Sequence, residues 1–154
     1  MILEYSKVRY NARTPERANP SDAGLDVFFC PPEDQAAGTS ISPGQSVILS
    51  TGLKFGVPHG YMLEVKNRSG NAAKMHLLVG ACVIDSGYDG EVFVNLHNIG
   101  KEPQFIPAGM KIAQVVLIPV VHFRASETAE NALYNYPMTI SNRGDGALGS
   151  TDGR

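Results

Sequence analysis

The chain has 154 residues, of which 43% are hydrophobic and 18% are charged. That length and composition indicate one globular domain with a single hydrophobic core, and they exclude a disordered chain. Lysine plus arginine total 13 against 15 aspartate plus glutamate, and the formal net charge of −2 excludes a broad basic surface for a nucleic acid polymer. An anionic ligand would therefore need a local cluster of arginines, backbone N–H groups or a metal ion.

The segment from Met1 to Lys7 shows no basic stretch followed by an apolar one, so no secretory signal is visible. No apolar run approaches the roughly 20 residues that a membrane-spanning helix needs. We therefore expect a protein that is neither secreted nor membrane-bound. It would be cytoplasmic, or lie in the nucleus or the host cytoplasm if its source is eukaryotic or viral. Cys30 and Cys82 are then predicted to be buried free thiols, and the four histidines lack the spacing of zinc ligands.

Glycine and proline recur about every ten residues, a rhythm typical of short strands and tight turns. In chain order, the predicted strands cover residues 2–9, 24–29, 46–50, 61–66, 91–98 and 111–121. Turns are predicted at residues 43–44, 55–60 and 107–109, and a loop at residues 33–40. In the clearest alternating pattern, Val92, Val94 and Leu96 share one face.

Helical signals are weak, and one short helix is predicted at residues 70–75, where two alanines and a lysine favour it. Many short strands with so little helix indicate an all-β fold, either a barrel or a jelly roll. From residue 142 the chain becomes polar and glycine-rich. We therefore predict one β domain over residues 1–141 and a flexible tail over residues 142–154.

The first segment whose side chains could take part in binding or catalysis is Asp22-Ala-Gly-Leu-Asp26. It places two carboxylates four residues apart around a glycine. Asp26 could orient water on a bound Mg²⁺, an ion that keeps much of its hydration and needs few carboxylates. The plainer interpretation is a turn that enters a strand, with Asp22 as its capping residue.

A second segment, Arg68-Ser69-Gly70, follows a predicted strand and opens the predicted helix. Helix N-termini offer unpaired N–H groups and the positive end of a dipole, which suit phosphate, and an arginine adds forked donors. The plainer interpretation is that Ser69 caps the helix while Arg68 is solvated.

A third segment, residues 80–91, is predicted to form a hairpin with its turn near residues 86–90. Asp85 follows four small or apolar residues, which predicts partial shielding from water, a setting in which a carboxylate serves as general base. Tyr88 offers a flat ring to a sugar or base. Alternatively, Asp85 is an ordinary turn residue and Tyr88 a packed aromatic residue.

The tail from Arg143 to Thr151 combines one arginine, several glycines and two hydroxyl groups. Such a segment could close over an anionic ligand, or it could be a plain flexible terminus. It is not a Walker loop, because no lysine precedes Ser150.

In this order, the segments resemble the signature motifs of the trimeric dUTPase family, over essentially the whole chain. The five matching segments are residues 22–26, 68–70, 83–91, 109–114 and 143–151. Each is weakly specific alone, but five in the family's order are specific. The resemblance implies a distorted jelly-roll β-barrel with one short helix, assembled as a homotrimer whose active sites are shared between subunits. It also implies Mg²⁺-dependent hydrolysis of dUTP to dUMP and pyrophosphate by water attack on the α-phosphorus. That reaction limits uracil incorporation into DNA and supplies dUMP for dTMP synthesis.

The resemblance also implies roles for single residues. Asp85 would activate the attacking water, Asp26 would contact Mg²⁺ through water, and Tyr88 would stack under the deoxyribose and exclude a 2′-hydroxyl. The hairpin residues that would hold uracil are Gly80, Cys82 and Ile84. The residues that would hold the α- and β-phosphates are Arg68, Ser69, Gly70 and Gln114. The tail residues that would close over the substrate are Arg143, Leu148, Gly149, Ser150 and Thr151.

Four positions depart from the family pattern. Leu148 replaces a phenylalanine that stacks on uracil, which would cost on the order of 1 kcal/mol of binding. Cys82 replaces a glycine, Asp89 an arginine or glutamine, and Asn71 a leucine.

Two alternatives remain. A dCTP deaminase shares the fold, but it needs an acid–base group, typically a glutamate, beside the pyrimidine amine, and none can be placed in the hairpin from sequence. A nucleotide-binding regulatory protein with the dUTPase fold is the other alternative, because a regulatory role leaves no mark on these motifs.

Overall fold

The computed structural model describes residues 1–33 and 37–133 of the chain. It divides into two compact units, Met1–His122 and Phe123–Arg154. Within the described residues, the first unit contains eleven strands and one α-helix, and the second contains the 3-10 helix Glu130–Ala132. No described helix is long and apolar enough to cross a membrane.

The first unit is built almost entirely of short strands. They are β1 (Tyr5–Lys7), β2 (Leu25–Phe28), β3 (Gly38–Ile41), β4 (Ser46–Ser50), β5 (Leu53–Phe55), β6 (Tyr61–Lys66), β7 (Leu77–Val79), β8 (Val83–Ile84), β9 (Phe93–Asn98), β10 (Gln104–Pro107) and β11 (Lys111–Pro119). The helix α1 (Ser69–Met75) follows β6. This composition confirms the all-β class with one short helix.

The strands pair antiparallel in four small sheets. The largest has the order β2-β11-β6-β8, and a second has the order β4-β9-β7. Two further pairs join β1 to β5 and β10 to β3. Because strands distant in sequence are neighbours, the fold brings separated motifs together at the sheet that contains β11.

A single apolar core fills the space between these sheets. Val92, Val94 and Leu96 are at most 2% exposed, whereas the intervening Phe93 is 47% exposed, so the alternation predicted for β9 is confirmed. Burying large aliphatic side chains at this depth stabilises the fold by roughly 1.5–3 kcal/mol each. Cys30 is buried and Cys82 half-buried, and both thiols are unpaired. The prediction of a buried thiol is therefore wrong for Cys82.

Several strand predictions agree with the structure, and four strands of the structure were not predicted. Strands β4 and β6 have the predicted bounds, α1 begins one residue early, and the opening strand shrinks to β1. The loop predicted at residues 33–40 is partly wrong, because Gly38–Ile41 forms β3. Strands β5, β7 and β10 were not predicted either. Both β3 and β5 are short. They are stabilised by pairing, β3 with β10 and β5 with β1, and not by a local sequence pattern.

The hairpin predicted over residues 80–91 is also wrong in its pairing. The turn is present, with the Tyr88 N–H donating to the Asp85 carbonyl at 3.2 Å and Gly87 at a φ of 84°. However, β8 pairs with β6, whereas β9 pairs with β4 and β7. The arms therefore belong to different sheets, and the turn that carries Asp85 bridges them.

Candidate active site

The register of three strands assembles the first group of predicted site residues. Gln114 on β11 lies opposite Asp26 on β2 and opposite Lys66 at the end of β6. Arg68 and the start of α1 follow β6 after one intervening residue. As a result, three motifs that are far apart in sequence meet around a cavity of about 340 Å³. Its lining residues are Ala18, Asp22, Ala23, Gly24, Asp26, Arg68, Ser69, Gly70 and Gln114.

Asp26 lies between two cationic side chains at this cavity. The Arg68 Nε donates to Asp26 Oδ1 at 2.9 Å, and Lys111 Nζ lies 2.9 Å from Asp26 Oδ2. Lys111 also contacts Glu16 at 2.7 Å. Hydrogen bonds to Glu16 and then to Asp26 raise the pKa of Lys111 above its usual value. The Asp26 carboxylate is only 14% exposed, so its position is fixed before any ligand binds.

The start of α1 is open toward the cavity. Arg68 is the N-cap residue with extended backbone, and no side chain caps the first turn. Ser69 and Gly70 are the first helical residues, and both are exposed. The plainer interpretation of Ser69 as the N-cap is therefore wrong. Uncapped N–H groups beside a guanidinium are a favourable setting for an anion.

A glycine fixes how Gln114 lies in the cavity. A Cβ at Gly24 would stand 2.5 Å from the Gln114 Oε1, so a side chain at this position would displace the Gln114 amide. The Gln114 Nε2 donates to the Asn67 carbonyl at 3.0 Å. The glutamine therefore links β11 to the segment just before Arg68.

The second group of predicted residues lines a different cavity, of about 230 Å³. Its lining residues are Val83, Ile84, Asp85, Tyr88, Glu91, Val92 and Phe93. The Tyr88 hydroxyl donates to the Glu91 carbonyl at 2.9 Å. A Cβ at Gly90 would stand 2.3 Å from that hydroxyl, so the ring lies directly against Gly90.

The prediction that Asp85 is shielded from water is wrong for the single chain, where its side chain is exposed. Asp85 lies in the turn between two sheets, and the apolar residues before it do not cover its side chain. Ile84 is buried in the core, whereas Val83 is 57% exposed. Any shielding of Asp85 must therefore come from outside the turn.

Two residues predicted to hold uracil, Gly80 and Cys82, do not line this cavity. Gly80 is in close contact with β9: its N–H donates to the Asn95 carbonyl at 2.9 Å, and a Cβ would stand 2.2 Å from the Asn95 Oδ1. The Cys82 carbonyl accepts the Val65 N–H at 2.8 Å. The backbone of both residues is therefore held by neighbouring strands.

Two departures from the family pattern have a structural account. Asn71 is 7% exposed, and its Nδ2 donates to the Lys111 carbonyl at 3.0 Å. This carbonyl lies at an irregularity in the β2–β11 pairing, at residues 111–113. A leucine could not satisfy that carbonyl. Asp89 forms a bridge of 2.6 Å with Lys54, and this contact lowers the pKa of the exposed Asp89 carboxyl.

Glu16 and Lys111 were missed as parts of the site. Lys111 lies within the fourth matching segment, so its charge was a usable signal. Glu16 carries no motif. It reaches the site because it forms a backbone bridge with Asp26, which pairs the preceding loop with β2. The predicted tail residues 143–151 lie outside the described part of the chain.

The residues around Asp26 fit a hydrated magnesium ion. In the described ranges, no group of three or more histidine, cysteine or acidic residues could form a protein cage for a metal. Magnesium rarely uses such cages and is held through one or two carboxylates, waters and substrate phosphates. The two cationic contacts of Asp26 use two of the four lone-pair sites of its carboxylate, so it can still accept a metal-bound water.

These features define an all-β protein with a cavity suited to phosphate groups and a second cavity with a carboxylate and a tyrosine. The dUTPase family model matches residues 10–151. A deoxyuridine 5'-triphosphate nucleotidohydrolase from Clostridium acetobutylicum is 36% identical, over 97% of this chain and 95% of that protein.

Solved structures of phage enzymes are similar as well. The dUTPase of Staphylococcus bacteriophage 80alpha, solved with dUPNHPP, superposes with a TM-score of 0.76 at 25% identity, over 97% of both chains. It is described among phage dUTPases that control transfer of virulence genes by a G protein-like mechanism. A mutant dUTPase from phage phi11 of S. aureus, described as coordinating a structural Mg(II) ion, has a TM-score of 0.75 at 25% identity, over 84% of this chain and 98% of that one.

This chain therefore belongs to the dUTPase family of hydrolases. The family predicted from the five motifs is confirmed, as is the jelly-roll β fold that its members share.

Proposed function

We propose that this chain hydrolyses dUTP to dUMP and pyrophosphate, as a homotrimer whose active sites combine residues of neighbouring subunits. Membership of the dUTPase family supports the reaction. One structural observation supports the shared site: the predicted residues divide between two cavities of the same chain. The first cavity has the groups that suit phosphates, and the second has the candidate base and the tyrosine. A substrate that needs both sets would bridge the first cavity of one subunit and the second cavity of another.

In the first cavity, the side chains would hold the triphosphate. The Asp26 contact uses the Nε donor of Arg68, so the Nη donors would hold phosphate oxygens in forked pairs. The open first turn of α1 would add N–H groups from Ser69 and Gly70, and Gln114 would add its amide. Asp26 would hold Mg²⁺ through its bound waters, and the ion would offset the charge of the phosphates.

In the second cavity, Asp85 would accept the proton of the water that attacks the α-phosphorus. A carboxylate becomes an effective base only when it is positioned and withdrawn from bulk water. The turn supplies the position, and the neighbouring subunit with its bound substrate would supply the cover. Tyr88 would pack under the deoxyribose, where its ring, which lies against Gly90, would leave no space for a 2′-hydroxyl. The backbone around Gly80, Cys82 and Ile84 would read the uracil edge.

The tail would complete the site. Arg143, Ser150 and Thr151 would close on the γ-phosphate, with Gly149 allowing the close approach of the backbone. Leu148 would cover the uracil without aromatic stacking.

The deaminase alternative is disfavoured because the Glu91 carboxylate is already engaged in hydrogen bonds. Glu91 is the only glutamate among the residues that line the second cavity, and its carboxylate already accepts hydrogen bonds from Arg9 and from the Gly52 N–H. A regulatory role is a second candidate, because the similar protein of phage 80alpha is described as controlling gene transfer.

The first test is pyrophosphate release from dUTP, dCTP, dTTP and UTP, each with Mg²⁺ and with a chelator. We expect release from dUTP alone and its loss on chelation, because the backbone around Gly80, Cys82 and Ile84 would select uracil and Tyr88 would exclude ribose. Equal release from UTP would refute the assigned role of Tyr88. Nucleotide binding without any release would favour the regulatory candidate over the enzyme.

The base is tested by Asp85→Asn, which keeps the shape of the side chain and removes its proton-accepting charge. We expect kcat for dUTP to fall by about 100- to 10,000-fold, the usual contribution of a general base. Binding of a non-hydrolysable dUTP analogue, measured by calorimetry, should change little. Turnover close to that of the wild type would show that Asp85 is not the base.

Sharing of sites between subunits is tested by mixing two inactive variants. Co-expressed Asp85→Asn and Arg68→Gln chains with different tags should regain activity, because about a quarter of sites in random closed trimers would combine both intact residues. Two differently tagged Asp85→Asn populations serve as the control. If mixed trimers are as inactive as either parent, each site belongs to one chain.

The tail is tested by deleting residues 142–154. Loss of an arginine and two hydroxyl donors that stabilise transferring phosphates should lower kcat/KM for dUTP by about 100-fold, with the oligomer intact by light scattering. Deleting only residues 152–154, which removes none of these groups, is the matched control. A truncated oligomer that turns over dUTP normally would contradict the role of the tail.

A further inference from the structure

The ion pair between Arg9 and Glu91 joins the start of the chain to the second cavity. The Arg9 Nη1 donates to Glu91 Oε2 at 3.0 Å, and Nη2 donates both to Oε1 and, at 3.0 Å, to the Cys30 carbonyl. Glu91 Oε1 also accepts the Gly52 N–H at 2.7 Å. The two side chains are 28% and 14% exposed, so solvent screens this contact less than an open surface bridge.

The main chain of Glu91 in turn holds Tyr88. The tyrosine hydroxyl donates to the Glu91 carbonyl at 2.9 Å, while the Tyr88 N–H donates to the Asp85 carbonyl at 3.2 Å. A displacement of Glu91 would therefore move the ring of Tyr88 and, through the turn, the candidate base. Arg9 reaches this position because Val8 donates its N–H to the Gly52 carbonyl at 2.8 Å.

Among the described residues, few side-chain contacts fix the part of the turn that precedes Glu91. After Glu91 the chain is firmly held, since the Val92 N–H donates to the Leu53 carbonyl at 2.8 Å and its carbonyl accepts the Thr51 hydroxyl at 2.7 Å. Before Glu91, the side-chain anchor to another segment is the exposed bridge between Lys54 and Asp89. Exposed bridges of this kind contribute little. Glu91 is therefore the point at which the turn becomes fixed.

A partly buried ion pair is a weak source of stability, because loss of hydration offsets the attraction. Its forked, directional hydrogen bonds are nevertheless well suited to fixing geometry. We propose that Arg9 and Glu91 are positioning residues, which hold the Tyr88 ring where it discriminates deoxyribose from ribose. This inference rests on the proposed function of Tyr88.

The test compares Arg9→Met, Arg9→Lys and Glu91→Gln with Lys54→Met, which cuts the exposed bridge on the same turn. The first readout is the ratio of kcat/KM for dUTP to that for UTP. We expect the ratio to fall by about tenfold in Arg9→Met and in Glu91→Gln, because small misplacements of binding groups lower rates substantially. The ratio for Arg9→Lys should lie between those of these two variants and the wild type, since lysine lacks the forked pair of donors that arginine has. Lys54→Met should keep the ratio of the wild type.

The second readout, hydrogen exchange of amides 85–91, does not depend on activity. We expect faster exchange in Arg9→Met and Glu91→Gln and no change in Lys54→Met. An unchanged ratio with unchanged exchange would overturn the inference. A wild type that does not discriminate UTP would instead refute the role of Tyr88, and the exchange result would still decide whether Arg9 fixes the turn. If Arg9→Met fails to fold, Glu91→Gln, which keeps its shape, decides the same question.

Discussion

The antiparallel register of β11 between β2 and β6 is the constraint on which the candidate site depends. One residue, Gln114, is opposite Asp26 on one side and Lys66 on the other. Since side chains alternate across a sheet, a shift of one residue in the β2–β11 ladder would turn the Asp26 carboxylate away from the cavity. A shift in the β6–β11 ladder would instead displace Arg68 and the start of α1, which follow β6. Gly24 adds a steric condition, because its missing side chain makes room for the glutamine. The proposed phosphate-binding site thus depends first on strand pairing, which brings its side chains together.

The charges at the first cavity are balanced internally. Asp26 lies between Arg68 and Lys111, and Lys111 continues to Glu16. Such a chain of ion pairs orients the Arg68 guanidinium and holds the Asp26 carboxylate in place. A bound triphosphate would add several negative charges to an already neutralised cluster, and a divalent cation offsets that excess. In the proposed site, that cation and the donors of Arg68 would let a chain with a net charge of −2 hold a polyanion without a broad basic surface.

Much of the fold was predictable because its signals are local. The β-branched run of β4, the alternation of β9 and the alanines of α1 all lie in contiguous segments. The short strands β3, β5, β7 and β10 were not predicted in this way, since pairing with other strands defines them. The same limit applies to the site. The motifs identify Asp26, Arg68 and Gln114, but Glu16 enters only through a backbone bridge, and the exposure of Asp85 reflects how two sheets meet around its turn.

A general base needs both a fixed position and withdrawal from water. In the proposed role of Asp85 as the base, the single chain would provide only the fixed position. The position of Asp85 is built within one subunit, by the tight turn at Gly87 and by the Tyr88–Glu91 contact behind it. Withdrawal from water is not built there, because the residue is exposed in the single chain. If a neighbouring subunit and its bound substrate provide the cover, the base becomes effective only in the assembled, occupied site. A lone subunit would then hold every group of the reaction and catalyse it poorly, which couples catalysis to assembly.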